Sequence, residues 1–307
     1  GGIRALVAAA AATARVDEAC AANPRDAACW VHGALRRSAV AAAVLDGGMV
    51  RMDTLCRLIS DREWTGADRS ARFAAAAHAA LSKVSTWPGA VPGPEAVSEA
   101  FLLSDEPFGR LMKPEVRWSL EEDSDWLAGL FASAVDEPDP WKGIETLREI
   151  WASNRFFGKS RKVAVLISPW VLGISFGCRR AVYGFATVAG REPEALREAS
   201  RDGDDWCAAA AAAVAEGVTG ELAMLRAVAP TRATIEALTP PSRAGTVHPK
   251  VVDWLFRSPV FTAKQLAEEV GLSTPGAKLV LDRLAESGVV EVDAGARNRK
   301  FSCRRTM

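Results

Sequence analysis

Several features that point to particular chemistries are scarce or missing in this sequence. Only three histidines are present, His32, His78 and His248, and this limits the catalytic schemes open to the chain. Six cysteines are dispersed with no two separated by only two residues, so a structural zinc site is not expected. We also expect no other metal and no cofactor. Scattered cysteines are more often reduced core residues, which favours a cytoplasmic location.

The chain also lacks net charge and long apolar runs. Its 38 Lys and Arg residues balance 38 Asp and Glu residues, which argues against a protein that coats nucleic acid along its whole length. No clearly apolar stretch reaches the ~20 residues of a membrane span, so we expect no contact with a membrane. Residues 3–14 are apolar but lack a charged leader and do not indicate a signal peptide.

Alanine, in contrast, is abundant, with 57 of the 307 residues. Alanine is the best helix former and is depleted in strands. We therefore predict an all-α fold, with a multi-helical domain over residues 1–238. Residues 239–246 have the Pro, Ser and Gly content of a linker, and residues 247–307 form a second domain.

Helix start and stop signals divide the first domain. The Asn23-Pro24 pair ends the first helix, Asp26 is the expected cap of the second, and Gly47-Gly48 ends it after Leu45. Further helices are predicted around 51–60 and over 68–83, 94–103, 120–135, 140–157, 161–175, 191–200 and 204–229.

The pattern of residues 247–307 is that of three helices followed by a β-hairpin. Thr262 and Gln265 form a capping box, Gly271 suits a tight turn, and Thr274-Pro275 begins the third helix. The strands are predicted over 289–292 and 300–303. This is the plan of a winged helix-turn-helix, whose third helix enters the major groove of double-stranded DNA.

Candidate DNA contacts follow from this plan. On the third helix they are Ser273, Thr274, Gly276, Lys278 and Arg283, and on the wing they are Arg297, Asn298, Arg299 and Lys300. The acidic Asp282 and Glu286 lie on the same helix and are unfavourable beside DNA phosphates, so a second interpretation stays open. In that interpretation the winged helix binds another protein or forms a dimer.

A family resemblance rests on the same residues. The stretch Pro259-Val-Phe-Thr-Ala-Lys-Gln-Leu-Ala, then Gly271-Leu-Ser, ending in Gly295-Ala-Arg-Asn-Arg-Lys-Phe, resembles the winged helix at the C-terminus of many Fic-family proteins. The whole layout is similar to an alphaproteobacterial, often plasmid-borne family of unknown function, in which a helical region precedes a helix-turn-helix.

The Fic resemblance implies transfer of AMP by a His-Pro-Phe motif and a Gly-Asn-Gly-Arg phosphate loop. His248-Pro249-Lys250 lacks the loop, so no catalytic residue is assigned. The segment Asn154–Arg161 is the part of the chain most similar to that phosphate loop. Its residues Gly158, Lys159, Ser160 and Arg161 form a candidate remnant phosphate site at a helix start. The alternative is a basic turn between two helices.

These observations favour a DNA-binding transcriptional regulator without catalysis. The helical domain would supply dimerisation or bind a small-molecule effector or a protein partner. Two alternatives stay open: a degenerate relative of Fic-type nucleotidyl transferases, and a scaffold whose winged helix docks protein.

Overall fold

The computed structural model describes residues 1–45, 47–61, 66–85, 122–123, 125–130, 132, 138–153, 155, 159–238, 247–293 and 299–307. These residues are mostly helical, and the sheet that they contain is small and three-stranded. The predicted all-α character is confirmed. The predicted helix over 94–103 and the linker at 239–246 lie outside the described residues.

Within the first 238 residues, the helices whose two ends lie in the described residues are α1 (Gly2–Ala22), α2 (Pro24–Val44), α3 (Met52–Asp61), α4 (Arg69–Val84), α5 (Pro140–Ala152), α6 (Ser160–Ser175), α7 (Phe185–Arg191), α8 (Pro193–Ala199) and α9 (Gly203–Leu238). The described residues between 122 and 132 are also helical. We call these helices the body. Within it, α1 packs along α9 and α5 along α6, while α2 contacts α4, α6, α7 and α9. Helix α2 is therefore central to the core.

Helix α9 is the one described helix that is long and apolar enough to cross a membrane, by length and composition alone. It buries Trp206, Val214 and Leu225 against the rest of the body. Its Glu221 is also buried, where the carboxylate accepts hydrogen bonds from Trp30 and Arg37. Apolar and paired polar residues thus both face the protein interior, as in the core helix of a bundle.

Three predicted helix boundaries in the body are wrong for identifiable reasons. Helix α5 ends at Ala152 rather than at 157, because Ser153 has an extended backbone and its hydroxyl donates to the Ile150 carbonyl at 3.0 Å. Asp26 does not cap α2, because Pro24 already takes the first helical position and Asp26 pairs with Arg232 at 2.8 Å. Helix α9 continues through Pro230 to Leu238, beyond the predicted end at 229. Pro230 and Arg226 are both exposed, so water can reach the Arg226 carbonyl that proline leaves without its helical donor.

Helix α7 was not predicted, and it depends on a close contact between two glycines. Gly184 precedes α7 with φ +127°, a backbone conformation that residues other than glycine rarely adopt. A Cβ atom at Gly184 would lie 2.3 Å from the carbonyl carbon of Gly217 in α9. The pair of glycines lets α7 approach the backbone of α9 directly.

Residues 247–307 contain α10 (Val247–Arg257), β1 (Val260–Thr262), α11 (Ala263–Val270), α12 (Thr274–Glu286), β2 (Glu291–Asp293), β3 (Lys300–Ser302) and a short 3-10 helix (Arg304–Thr306). We call them the C-terminal region. Its antiparallel sheet has the order β1-β3-β2, with Phe301 opposite both Phe261 and Val292. The predicted capping box of Thr262 and Gln265 is present.

A buried arginine joins the C-terminal region to the body. Arg36 of α2 is 1% exposed, and its guanidinium donates hydrogen bonds to the carbonyls of Phe256, Arg257 and Thr306 at 3.0–3.2 Å. These carbonyls lie at the end of α10 and near the C-terminus of the chain. Arg25 adds an exposed ion pair to Asp253 of α10 at 2.9 Å.

Candidate nucleic-acid interface

Helix α12 has one buried side and one exposed side. Ala277, Leu281 and Leu284 are buried. Three of the predicted contacts are exposed: Thr274 and Lys278 in the first turns of the helix, and Arg283 in its last turn. A helix with an exposed polar start and an apolar buried stripe is suited to contact a partner through its N-terminal residues.

The other two predicted residues of α12 act in the helix cap. Ser273 is the N-cap residue, and its hydroxyl oxygen accepts a hydrogen bond from the Gly276 amide at 3.2 Å. The preceding turn is fixed by Gly271, which has φ +76° and ends α11. Ser273 and Gly276 therefore set where α12 begins and how its first turn is presented.

The packing of the C-terminal region leaves α12 at the periphery. Helix α10 packs on α2 and α9, and β1 packs on α3, so these elements form the contact with the body. Helix α12 packs mainly on α11. Its exposed residues are consequently open to solvent and are not covered by the body.

The wing residues are held by ion pairs. Arg299 is about half exposed, lies 3.1 Å from Asp282 of α12 and stacks over the Phe301 ring. Lys300 lies inside the sheet rather than at a tip, opposite Thr262, and its ammonium group is 2.6 Å from Asp61 of α3. Arg297 and Asn298 lie outside the described residues.

Sequence reasoning missed the part of α3 that flanks the wing. Arg57 is 3.0 Å from Asp293 of β2 and remains 54% exposed, which adds a cation beside the hairpin. This contact joins residues more than two hundred positions apart. No local pattern in the sequence signals it.

The candidate phosphate residues that the structure describes, 159–161, lie at the start of α6. Gly158 lies outside the described residues, and Lys159 is the N-cap residue of α6. Ser160 is buried, and its hydroxyl bonds the carbonyls of Ser153 and Arg155 at 2.7 and 2.8 Å. Ser160 therefore connects the start of α6 to the residues that follow α5, whereas Lys159 and Arg161 are only half-buried.

A cavity of about 480 Å³ lies at the joint between the body and the C-terminal region. Its walls include His32 and His78 from the body and Trp254 and Gln265 from the C-terminal region. Burial, and then the nearby Arg36, lower the pKa of His32 to about 4 and that of His78 to about 3. Both imidazoles are neutral at physiological pH, and each offers one donor and one acceptor to the cavity.

The described residues contain neither a cluster of metal ligands nor, at Cys20 and Cys29, a reactive thiolate. No cluster of three or more His, Cys, Asp or Glu side chains that could hold a metal ion occurs there. Burial raises the pKa of Cys20 and Cys29 to about 12, so these thiols stay protonated.

No protein-family model matches the chain, and no curated protein matches it.

Proposed function

We propose that the protein is a DNA-binding transcriptional regulator and that residues 247–307 form a winged helix-turn-helix. The order of α10, β1, α11, α12, β2 and β3 supports this proposal, with the two last strands as the wing. The observation that carries it is the exposed start of α12, which the body does not cover.

In this proposal α12 lies in the major groove. Thr274 and Lys278 reach base edges from its first turns, and Arg283 contacts a phosphate further along. Ser273 and Gly276 act indirectly, since their cap hydrogen bond fixes the first turn. Arg299 contacts the backbone or the minor groove from the wing.

The body would then transmit a signal to the DNA-binding region. The cavity at the joint is lined by both parts of the chain, so a small effector bound there would contact both at once. Dimerisation through the body would place two α12 helices on successive half-sites. The proposal is of a cytoplasmic protein, related to the helical and helix-turn-helix family that the sequence resembles.

One observation favours protein docking as a second candidate function. Leu279 of α12 is 57% exposed, and the acidic Asp282 is next to it on the helix surface, one turn further along. An exposed apolar residue beside an acid suits a protein partner better than a phosphate backbone. A relationship to nucleotidyl transferases is a weaker alternative, tied to Lys159 and Arg161 and without the histidine motif.

Selection of bound duplexes from a random pool separates these candidates. We expect the full-length protein to enrich one motif, and Lys278→Ala or Thr274→Ala to relax it at a single base pair. The lost discrimination should be about 1–3 kcal/mol at that position. Failure to enrich any duplex would favour the docking function.

A further inference from the structure

A second cavity, of about 210 Å³, lies between the starts of α4 and α6. Arg69 and Ser70 come from the first turn of α4, and Lys159 and Lys162 from the start of α6. Three cationic side chains thus line one small space, together with a serine hydroxyl. No carboxylate is among the described residues that line it.

Two of these groups are available to a ligand. Within the described part of the chain, neither the Arg69 guanidinium nor the Ser70 hydroxyl makes a hydrogen bond or ion pair. Arg69 is exposed and Ser70 is half-buried, so both remain accessible from the cavity.

The backbone next to the cavity is built around the serine. A Cβ atom at Gly48 would lie 2.3 Å from the Ser70 Oγ and 2.8 Å from the Ala43 carbonyl oxygen. Any larger residue at position 48 would displace the hydroxyl. Glycine therefore preserves the position of Ser70 on the cavity wall.

We propose that this cavity binds a small phosphate-bearing anion. A guanidinium donates two parallel hydrogen bonds to phosphate oxygens, while lysines act as point charges and a serine hydroxyl donates one more bond. The volume is below the ~300–1,000 Å³ of pockets that enclose drug-sized ligands, so the phosphate group itself is the part recognised. The site extends the segment at Lys159 to residues of α4 that the sequence did not connect with it.

The test is the affinity of the full-length protein for inorganic phosphate, measured by calorimetry at constant ionic strength set with sodium chloride. We expect saturable binding of one phosphate per chain. Arg69→Gln should weaken it by about tenfold or more, because a charge-assisted hydrogen bond is lost. Ser70→Ala should weaken it by about threefold to tenfold.

Arg72→Gln is the matched control, since Arg72 is exposed one turn later on α4 and does not line the cavity. It should change the phosphate affinity by less than about twofold. Equal weakening by Arg69→Gln and Arg72→Gln would show general charge screening and overturn the proposal. Absence of saturable phosphate binding by the unaltered protein would also overturn it.

A parallel titration with AMP identifies the source of the phosphate group. Tighter binding of AMP than of inorganic phosphate, lost in Arg69→Gln, would support the site with a phosphate monoester as ligand. Equal affinities would support it with free phosphate. Because none of these titrations contains DNA, their result is independent of the proposed regulator function.

Discussion

Replacement of Arg36 by methionine tests how the C-terminal region is held on the body. The guanidinium of Arg36 is buried and bonds the carbonyls of Phe256, Arg257 and Thr306. Methionine keeps most of the apolar stem but removes every donor. We therefore expect Arg36→Met to lower the free energy of unfolding.

The magnitude follows from two opposing contributions. Three carbonyls without a donor cost about 1–3 kcal/mol each, or about 3–9 kcal/mol together. Burial lowers the pKa of Arg36 from 12.5 to about 10. At about 1.4 kcal/mol per pKa unit, removal of the buried charge should stabilise the folded state by roughly 3 kcal/mol. With the middle of the first range, the net destabilisation is about 2–4 kcal/mol.

Urea unfolding followed by tryptophan fluorescence measures this loss. A lower midpoint with an unchanged slope is the expected result. Arg15→Met is the control, because Arg15 is exposed on α1 and bonds only the Ala11 carbonyl, and it should stay within about 0.5 kcal/mol of the unaltered protein. If Arg36→Met changed the free energy of unfolding as little as Arg15→Met, the conclusion that Arg36 holds the C-terminal region on the body would be refuted.

Three further predictions concern the linker, the joint cavity and the wing. Mild proteolysis should cut first within 239–246, because Pro- and Gly-rich linkers are preferred sites, and first cuts in α9 would contradict the domain division. Between pH 7 and 4 the unfolding free energy should fall, because unfolded histidines bind protons near pH 6.5 that native His32 and His78 resist. His78→Gln should reduce that pH dependence, as measured by urea unfolding at each pH. Asp282→Asn should strengthen DNA binding a few-fold in a gel-shift titration, because it removes a carboxylate and releases Arg299; weaker binding would count against a phosphate contact.

The C-terminal region was the part of the fold most accessible from sequence, because its signals are local. The capping box of Thr262 and Gln265 involves residues three positions apart, and Gly271 determines its turn through its own φ angle. The end of α10 before Pro259 follows from the restricted backbone before proline. Such features need no knowledge of the rest of the chain.

The features that sequence reasoning missed depend on distant contacts. Helix α7 depends on the contact of Gly184 with Gly217. The attachment of the C-terminal region depends on hydrogen bonds from Arg36 to carbonyls some 220 to 270 residues away. The sequence places the Ser160 hydroxyl in a phosphate site, because it follows a glycine at a helix start. In the structure this hydroxyl bonds the carbonyls of Ser153 and Arg155 instead. Partners of this kind appear only once the helices are packed.

The salt dependence of DNA affinity tests the central proposal most directly. If α12 and the wing bind DNA, the logarithm of the association constant should fall linearly with the logarithm of the salt concentration. Arg299→Gln should lower that slope by roughly one unit and weaken all duplexes about equally, while Arg15→Gln on the far helix α1 should leave it unchanged. An intact protein with no salt-dependent affinity for any duplex, even at low ionic strength, would contradict the proposal and leave α12 as a protein-docking surface.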